Sequence, residues 1–492
     1  MTTRRPRPAP TGAPRRPPAP PARRRPPAAR PLLAVLLALS CLAIGGCAAP
    51  HRAPGPAPVR RPPDTTTTAL RALVAAGAPG AASLVTRDGK FAASRFSAAG
   101  VADLRTRRPM ERRDHFRAGS LTKTLVATVV LQLAAERRLS LDDSAARLLT
   151  TGHRTPPGLS RGVLAQLSPV TVHQLLDHTS GLFNYTADPA LHLTGPGFAA
   201  HRYDTHTPAE LLRRALRHPP GAAPGARYAY SNTNYVVLGL IVEAVTGRRY
   251  ADEIRRRVLV PVGLTGTSFP GTRTALPRPH GRAYFRTGHR QVDVTDLNPS
   301  WAGAAGEMVT TLDDLNHFFA ALLGGRLLPP RELAELRDER ATKGVYGLGV
   351  YATRLPCGVT VWGHNGDIHG SYARTAASAD GRHLVSYHVT TDTPGARPDD
   401  DAVLSAEFCP QPGPDADAGT GTANPAADTA TDTATDTATG APRATALATP
   451  VPTAPVPAAY SGTMSGAPSR AASAVRSSGW RCDSRSASTR FS

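Results

Sequence analysis

The chain has 492 residues, 40% of them hydrophobic, with 48 Pro and 44 Gly and a formal net charge of +21. This length exceeds that of a mini-protein and suits one large domain or two ordinary ones. The positive charge suggests a nucleic-acid partner, but residues 1–65 alone carry 12 Arg against one Asp, and only Lys90, Lys123 and Lys343 are lysines. Because the sequence also lacks zinc-finger spacing, an RNP-type motif and a basic-aromatic stripe, we expect no nucleic-acid partner.

The first 47 residues have the layout of an export signal. Residues 1–30 are rich in Arg and Pro without an acidic residue, and an apolar run extends from Leu32 to Ile44. That run is too short to span a bilayer comfortably, so residues 1–47 are predicted to be a signal peptide. The ending Gly45-Gly46-Cys47 resembles a bacterial lipobox, which would make Cys47 a lipidation site and a membrane anchor. The alternative is ordinary cleavage nearby, with Cys47 as a bystander.

Export would place the protein on the extracellular face of the membrane as a lipoprotein, or in the cell wall as a secreted protein. Residues 48–65 are rich in Pro, Ala and Arg and are predicted to be a spacer. Residues 411–492 are rich in Ala, Thr, Asp, Gly and Pro, and this low-complexity tail is predicted to be disordered.

Residues 66–410 carry the patterns of regular structure. Leu70–Ala76 is predicted to form a helix, and Leu121–Arg138 a strong amphipathic helix. The other predicted helices are His173–His178, Pro208–Arg217, Asn234–Thr246, Asp252–Leu259, Leu312–Leu323 and Ala402–Phe408. The predicted strands are Ala81–Thr86, Phe91–Ser97, Tyr346–Tyr351, Thr360–Gly363, Ser371–Ala377 and His383–Val389. Strands at both ends with helices between them predict one α/β (α+β) domain with an inserted helical region.

The predicted helix near residue 120 begins with a candidate nucleophile and base. Ser120 lies three residues before Lys123, so both side chains share one helical face. A neighbouring amine in an apolar setting activates a serine, and a helix N-terminus favours a developing oxyanion. The alternative is a Ser N-cap followed by a solvated Lys.

Two further groups follow in an order that suits such a site. Tyr230 and Asn232 come after a Gly/Pro-rich loop and before an apolar helix, where Tyr could accept the serine proton and Asn could hold a substrate amide. His364 and Gly366 follow the predicted strand Thr360–Gly363, where a glycine lets a ligand approach the strand edge. Taken singly, each is as well explained by a packed Tyr, a capping Asn or a surface His.

Ser120-x-x-Lys123, Tyr230-x-Asn232 and His364-x-Gly366, in that order, resemble the three motifs of the class C β-lactamase and D-alanyl-D-alanine carboxypeptidase family. The flanking stretches 175–182, 230–235 and 346–350 agree with it. The likeness is greatest to secreted actinomycete-type D-Ala-D-Ala carboxypeptidases and extends from about residue 70 to Pro410. The resemblance implies a β-lactamase/transpeptidase-like fold, in which helices flank an antiparallel sheet made from the N- and C-terminal segments.

The resemblance also implies a role for each matching residue. Ser120 would be acylated, Lys123 and Tyr230 would share the proton transfers, and Asn232 would bind the substrate amide. His364 would shape the site from the strand edge, and the backbone N–H groups of Ser120 and Asp367 would form the oxyanion hole. Trp301 lies where the family has an aromatic wall, although core packing explains it equally well. Cys357 and Cys409 resemble the family's disulfide pair, against the alternative of two free thiols.

Two residues depart from the family's carboxylate-binding pattern. The resemblance places Tyr351 where the carboxypeptidases have an arginine, and Asp367 would repel a substrate carboxylate. Arg354 could replace that arginine only if its strand were bulged. Acyl-enzyme chemistry is therefore better supported than carboxypeptidase specificity.

We expect an exported serine hydrolase, with D-alanyl-D-alanine carboxypeptidase or a related D-amino-acid peptidase as the leading function. Its substrate would be a peptidoglycan-type peptide or a β-lactam. An esterase or a β-lactamase on the same fold is the alternative enzyme, and a non-catalytic penicillin-binding sensor is the alternative from another class. No metal site and no cofactor are expected, and the protein is expected to be a monomer.

Overall fold

A computed structural model describes residues 65–153, 156–287, 290–392 and 400–409. The predicted signal peptide with Cys47, the spacer up to residue 64 and the predicted tail 411–492 lie outside these residues. Within them, no helix is both long enough and apolar enough to cross a membrane.

A six-stranded antiparallel sheet is built from the two ends of the described chain. Its strands are β1 (Gly80–Thr86), β2 (Arg95–Gly100), β7 (Tyr351–Arg354), β8 (Thr360–Ile368), β9 (Ser371–Ala377) and β10 (Leu384–Val389), in the order β2-β1-β10-β9-β8-β7. The N-terminal β1 pairs with the C-terminal β10. Two small pairs complete the strands: β3 (Phe116–Arg117) with β6 (Val309–Thr310), and β4 (Tyr284–Thr287) with β5 (Arg290–Asp293). This architecture confirms the predicted fold class.

Helices cover both faces of the sheet. On one face α1 (Thr65–Ala75) and α13 (Asp400–Phe408) pack against a core that includes Tyr372, Val385 and Tyr387. The opposite face meets α2 (Thr122–Ala135) and α11 (Leu312–Leu323), and most of the remaining helices come from the inserted region. These are α3 (Ala145–Thr151), α4 (Arg161–Leu167), α5 (Val172–Leu176), α6 (Gly195–His201), α7 (Pro208–Ala215), α8 (Asn232–Thr246), α9 (Tyr250–Ile254), α10 (Val260–Val262) and α12 (Pro330–Leu336).

The two central helices, α2 and α8, are buried on nearly all sides. Most of their residues are apolar or small, and the few that are not fully buried include Gln132 on α2 and Glu243 on α8. A helix that is apolar all round belongs in the middle of a domain, not on its surface. Burial of α2 also buries Lys123 in its first turn, and this places the predicted base in the interior.

Several predicted elements coincide with the observed ones, and three differ for local reasons. Leu312–Leu323 and Ser371–Ala377 match their observed bounds. The predicted strand Tyr346–Tyr351 was wrong: residues 346–350 form a turn, in which Gly349 has a φ of +90° and Thr342 accepts the Tyr346 amide. The strand predicted over Phe91–Ser97 begins only at Arg95, after a 3₁₀ turn at Phe91–Ala93. The strand predicted over Thr360–Gly363 continues to Ile368 because β9 pairs with it from Trp362 to Ile368.

A disulfide joins Cys357 to Cys409, the pair that the resemblance implied. Cys357 lies in the turn between β7 and β8, and Cys409 follows the last residue of α13. The bond therefore ties the end of α13 to the strands that border the predicted site. Their separation of 52 residues in the sequence means that the bond restricts a long loop in the unfolded chain.

We predict that replacing both cysteines, in a C357S/C409S variant, lowers the free energy of unfolding by about 2–4 kcal/mol, because the loop regains its entropy in the unfolded state. The measurement is denaturant unfolding under non-reducing conditions. Wild-type protein treated with a reductant is the matched control and should unfold with the variant's midpoint. An unchanged midpoint in both samples would show that the bond does not stabilise the fold.

Candidate active site

Ser120 lies at the point where β3 leads into α2. A single 3₁₀ turn, Gly119–Leu121, connects them, and α2 begins at Thr122. Gly119 has a φ of +53°, and a Cβ at that position would lie 2.6 Å from the backbone nitrogen of Asp367. Glycine is therefore required here, because the turn must pass directly against β8. This contact places Ser120 at the edge of β8.

Lys123 is buried and makes three hydrogen bonds through Nζ. The nitrogen lies 2.9 Å from Ser120 Oγ, 2.8 Å from Asn232 Oδ1 and 2.7 Å from the Ala305 carbonyl oxygen. Burial lowers the pKa of Lys123 well below its usual value, because the charged form loses its hydration. A neutral amine keeps a lone pair, so Lys123 is suited to take the proton of the serine hydroxyl.

Tyr230 lies beside Lys123, with the centre of its ring 5.0 Å from Nζ. Burial raises the pKa of Tyr230 well above its usual value, although a hydrogen bond with Ser120 acts in the opposite direction. The raised pKa means that the phenol keeps its proton near neutral pH. The predicted sharing of proton transfers between Lys123 and Tyr230 stays a prediction.

Asn232 is the first residue of α8, and its carboxamide is held from both ends. Its Oδ1 accepts from Lys123, and its Nδ2 donates to Thr186 Oγ1 at 3.2 Å. The backbone amide of Ser231, the residue before it, donates to Nδ1 of the buried His178 at 3.2 Å. The hydrogen bond from Ser231 to His178 therefore helps to fix the position of the Tyr230-Ser231-Asn232 segment.

His364 lies on β8, where its Nε2 is 2.8 Å from the hydroxyl oxygen of Tyr346. Burial and the nearby Lys123 lower the pKa of His364 to about 3, so its imidazole is neutral. Two residues on, a Cβ at Gly366 would lie 1.8 Å from the Ala118 carbonyl oxygen. The glycine allows β8 to lie against the turn that carries Ser120.

Trp301 and Asp367 line the same narrow cavity as Ser120. The cavity measures about 10 Å³, room for roughly one water-sized group. Its other lining residues are Tyr185, Asn232, Ala302, Ala305, Gly306 and Ile368. Trp301 is only 5% exposed and packs edge-on against His369, so it serves both as a wall of the cavity and as part of the core.

The chain matches the Beta-lactamase family model over residues 66–408. It belongs to the β-lactamase family. The match covers the sheet, the inserted helices and every residue of the site just described. The expected relationship to β-lactamases and penicillin-binding proteins is thereby confirmed, and the protein is a β-lactamase-family serine hydrolase.

Two solved structures each match 70% of this chain. A D-stereospecific amidohydrolase from Streptomyces sp. is 42% identical, with a TM-score of 0.62, and the match covers 70% of this chain and 98% of that one. D-amino acid amidase from Ochrobactrum anthropi SV3 is 25% identical, with a TM-score of 0.59 and coverage of 70% and 97%.

Among curated proteins, esterase EstB from Burkholderia gladioli is 34% identical over 195 residues, which are 39% of this chain and 47% of that protein. The putative penicillin-binding protein PbpX of Bacillus subtilis is 26% identical over 48% of this chain and 53% of its own length. The chain thus spans about half the length of these curated relatives.

In this β-lactamase-family hydrolase, the residues that depart from the carboxylate-binding pattern share one face of the sheet. The Tyr351 hydroxyl donates to Asn365 Oδ1 at 3.0 Å. Arg354 stays exposed at the end of β7, because that strand pairs residue for residue with β8 and has no bulge. The idea that Arg354 replaces the missing arginine is therefore wrong.

A different arginine, Arg374 of β9, lies opposite Asn365 in the sheet. It is 4% exposed; its Nη2 donates to Thr353 Oγ1 at 2.7 Å, and its guanidinium lies 5.2 Å from the centre of the Tyr351 ring. The sequence reasoning missed this residue because its partners lie on β7, two strands away.

The sequence reasoning also missed His178, Thr186, Tyr346 and the Ala305 carbonyl. His178 lies inside the stretch 175–182 that carried the resemblance, and Tyr346 inside 346–350, so both could have been found there. Ala305 contributes only a backbone oxygen, which no residue pattern reveals. Among the residues that the structure describes, no group of three or more His, Cys, Asp and Glu side chains is placed to hold a metal ion.

We predict that Lys123→Ala lowers the rate of Ser120 acylation by roughly 10²–10⁴-fold, because the serine loses its proton acceptor. The rate of labelling by a fluorescent penicillin or a fluorophosphonate measures this step. Lys90→Ala is the matched control, since Lys90 is exposed in a surface turn, and it should label as fast as wild type. If Lys123→Ala is unfolded at 25 °C, Lys123 has a structural role instead.

Proposed function

We propose that this protein is a D-stereospecific amidohydrolase, which cleaves an amide bond made by the carboxyl group of a D-amino acid residue. The observation that carries the proposal is a contrast within the site. The acylating residues Ser120, Lys123 and Tyr230 are complete, while Tyr351 and Asp367 occupy the positions where a carboxypeptidase would bind a carboxylate. The 42% identity to the Streptomyces amidohydrolase over nearly all of that chain supports the proposal.

The reaction begins when Lys123 accepts the proton of Ser120 Oγ and the oxygen attacks the substrate carbonyl. The backbone N–H groups of Ser120 and Asp367 receive the oxyanion, which is an interaction strongest in the transition state. The leaving amine takes a proton from Lys123 or from the protonated Tyr230, and an acyl-serine ester remains. Water then attacks this ester by the reverse proton path and releases the D-amino acid.

D-alanyl-D-alanine carboxypeptidase activity is less well supported than amidohydrolase activity. Such a substrate ends in a carboxylate, and the edge of β8 offers it Asp367 with no arginine at the expected position. Repulsion between two carboxylates in a buried or half-buried site disfavours binding.

Ester hydrolysis is the second candidate, favoured by the 34% identity to esterase EstB, since an acyl-serine forms equally from an ester. A non-catalytic sensor would have no need of the full set of acylating groups.

The deciding assay measures two products. One is ammonia released from D- and L-alanine amide, each tested with a free amine and with an N-acetyl group. The other is D-alanine released from an N-acylated D-Ala-D-Ala peptide. We expect the D-amide of at least one pair to react roughly 100-fold faster than its L-isomer, because the walls of a small cavity accept one configuration. Ser120→Ala should abolish the activity. Faster release of the terminal D-alanine than of ammonia would support the carboxypeptidase instead.

We also propose that the protein acts outside the cytoplasm. The Cys357–Cys409 disulfide supports this, because such bonds persist mainly in oxidising compartments. The predicted signal peptide points the same way, although it lies outside the described residues.

Expression of the full chain in a bacterium with a lipoprotein pathway tests the anchor. We predict that the wild-type protein partitions into detergent with its N-terminus at Cys47, and that Cys47→Ala releases it into the soluble exported fraction. Cys482→Ala, a substitution of the same kind near the other end of the chain, is the control. Retention of the wild-type protein in the cytoplasm with residues 1–47 intact would contradict export.

A further inference from the structure

We propose that Thr186 and Asn184 fix the orientation of the Asn232 carboxamide, and that they are positioning residues for the acylation step. The fixed carboxamide leaves Lys123 with its lone pair directed at the hydroxyl of Ser120. The inference rests on the predicted role of Lys123 as a proton acceptor. It goes beyond the proposed function, because it holds whether the acyl donor is an amide or an ester.

The chain of hydrogen bonds begins at a backbone group whose direction cannot be reversed. The backbone amide of Asn232 donates to Oδ1 of Asn184 at 3.1 Å. A backbone N–H only donates, so the Asn184 atom that faces it has to be the carbonyl oxygen and not the amide nitrogen. The same Oδ1 lies 3.0 Å from Thr186 Oγ1. Because Oδ1 only accepts, the Thr186 hydroxyl donates its hydrogen to Asn184.

The Thr186 hydroxyl has a single hydrogen, and this determines its second contact. Its oxygen lies 3.2 Å from Asn232 Nδ2 and, with the hydrogen already donated to Asn184, it can only accept. The end of Asn232 that faces Thr186 is therefore the NH2 group, and the carbonyl oxygen faces Lys123 at 2.8 Å. The reversed carboxamide is disfavoured, because two acceptors would then face each other.

The same reasoning about donors and acceptors applies to Lys123. The three partners of its Nζ are uncharged oxygens, those of Ser120, Asn232 and the Ala305 carbonyl. Burial favours the neutral amine, which has two hydrogens and one lone pair. The oxygens of Asn232 and Ala305 only accept, so both hydrogens are donated to them. The lone pair remains for the Ser120 hydroxyl, whose proton needs an acceptor when the oxygen attacks.

Burial makes the orientation of the carboxamide matter. Thr186 is 7% exposed, Asn232 6% and Lys123 0%. A buried polar group without a partner is costly, and at such low exposure water does not readily replace a lost partner. A reversed Asn232 would present its NH2 group to Lys123. The lysine lone pair would then accept from Asn232 and would no longer be available to Ser120.

The test measures the chemical step with an alkyl fluorophosphonate that carries no amide, so that amide binding by Asn232 does not enter the rate. Ser120 Oγ forms a bond to phosphorus, the P–F bond breaks, the serine proton passes to Lys123 and fluoride leaves. Fluoride release gives the rate, with Ser120→Ala as the baseline. Thr186→Val should lower this rate by roughly 10-fold, the change expected when one hydrogen bond is lost.

Further variants separate positioning from a structural effect. Thr186→Ser keeps the hydroxyl and should restore most of the rate. Asn184→Ala frees the Thr186 hydrogen, so the carboxamide is no longer held in one orientation and the reaction should again be slower. In an Asn232→Ala background, Thr186→Val should cause no further loss, because it acts through the missing carboxamide. Thr150→Val, an exposed substitution of the same type on α3, is the matched control and should react like wild type.

Each contrary result has its own meaning. Wild-type rates in Thr186→Val, or equal slowing by Thr186→Ser, would overturn the proposal. A further loss from Thr186→Val in the Asn232→Ala background would overturn it too, since the hydroxyl would then act independently of the carboxamide. If Thr186→Val is unfolded, Asn184→Ala carries the test, and a wild-type rate in that variant contradicts the proposal. If wild type releases no more fluoride than Ser120→Ala, the acyl-serine chemistry fails and the positioning proposal with it.

Discussion

The burial of Lys123 is the constraint on which the rest of the site depends. Its three hydrogen-bond partners come from three separate parts of the chain: the turn before α2, the first residue of α8, and the backbone at Ala305. An amine removed from water needs such partners, because an unsatisfied buried polar group is costly. The requirement therefore holds α2, α8 and the 303–306 segment in one relative position, and the cavity at Ser120 forms where they meet.

The buried residues around Lys123 favour the neutral forms of the titratable groups in the site. His178, His364 and Tyr346 are buried together, and their burial disfavours every charged form of them. His178 has a φ of +63°, an uncommon conformation for a non-glycine residue, and it is held there by amides from Ser231 and Asn234. The side chains around Lys123 are therefore aromatic and weakly polar, and in such surroundings a lysine amine loses its proton more readily than it does in water.

Sequence patterns predicted the parts of this arrangement that depend on local periodicity. The helix Leu312–Leu323 and the strand Ser371–Ala377 follow from spacing alone, and the catalytic set follows from three ordered motifs. The extent of β8 did not follow, since Asn365, Gly366 and Asp367 favour a turn locally. The ladder to β9 overrides that preference, with Gly366 opposite Ala373. Arg374 and the Ala305 carbonyl depend on contacts between distant segments, which a single sequence does not encode in any local pattern.

The period of two along β8 divides its side chains between two faces. His364 and Gly366 point to the face where Tyr346 and the Ser120 turn lie, and Gly366 permits the backbone contact there. Asn365 and Asp367 alternate with them, on the face shared with Tyr351 and Arg374. Substitutions on that second face leave the groups that acylate in place, because those groups contact the opposite face of the strand. A single strand can therefore hold the turn that carries Ser120 through one face while its other face packs against Tyr351 and Arg374.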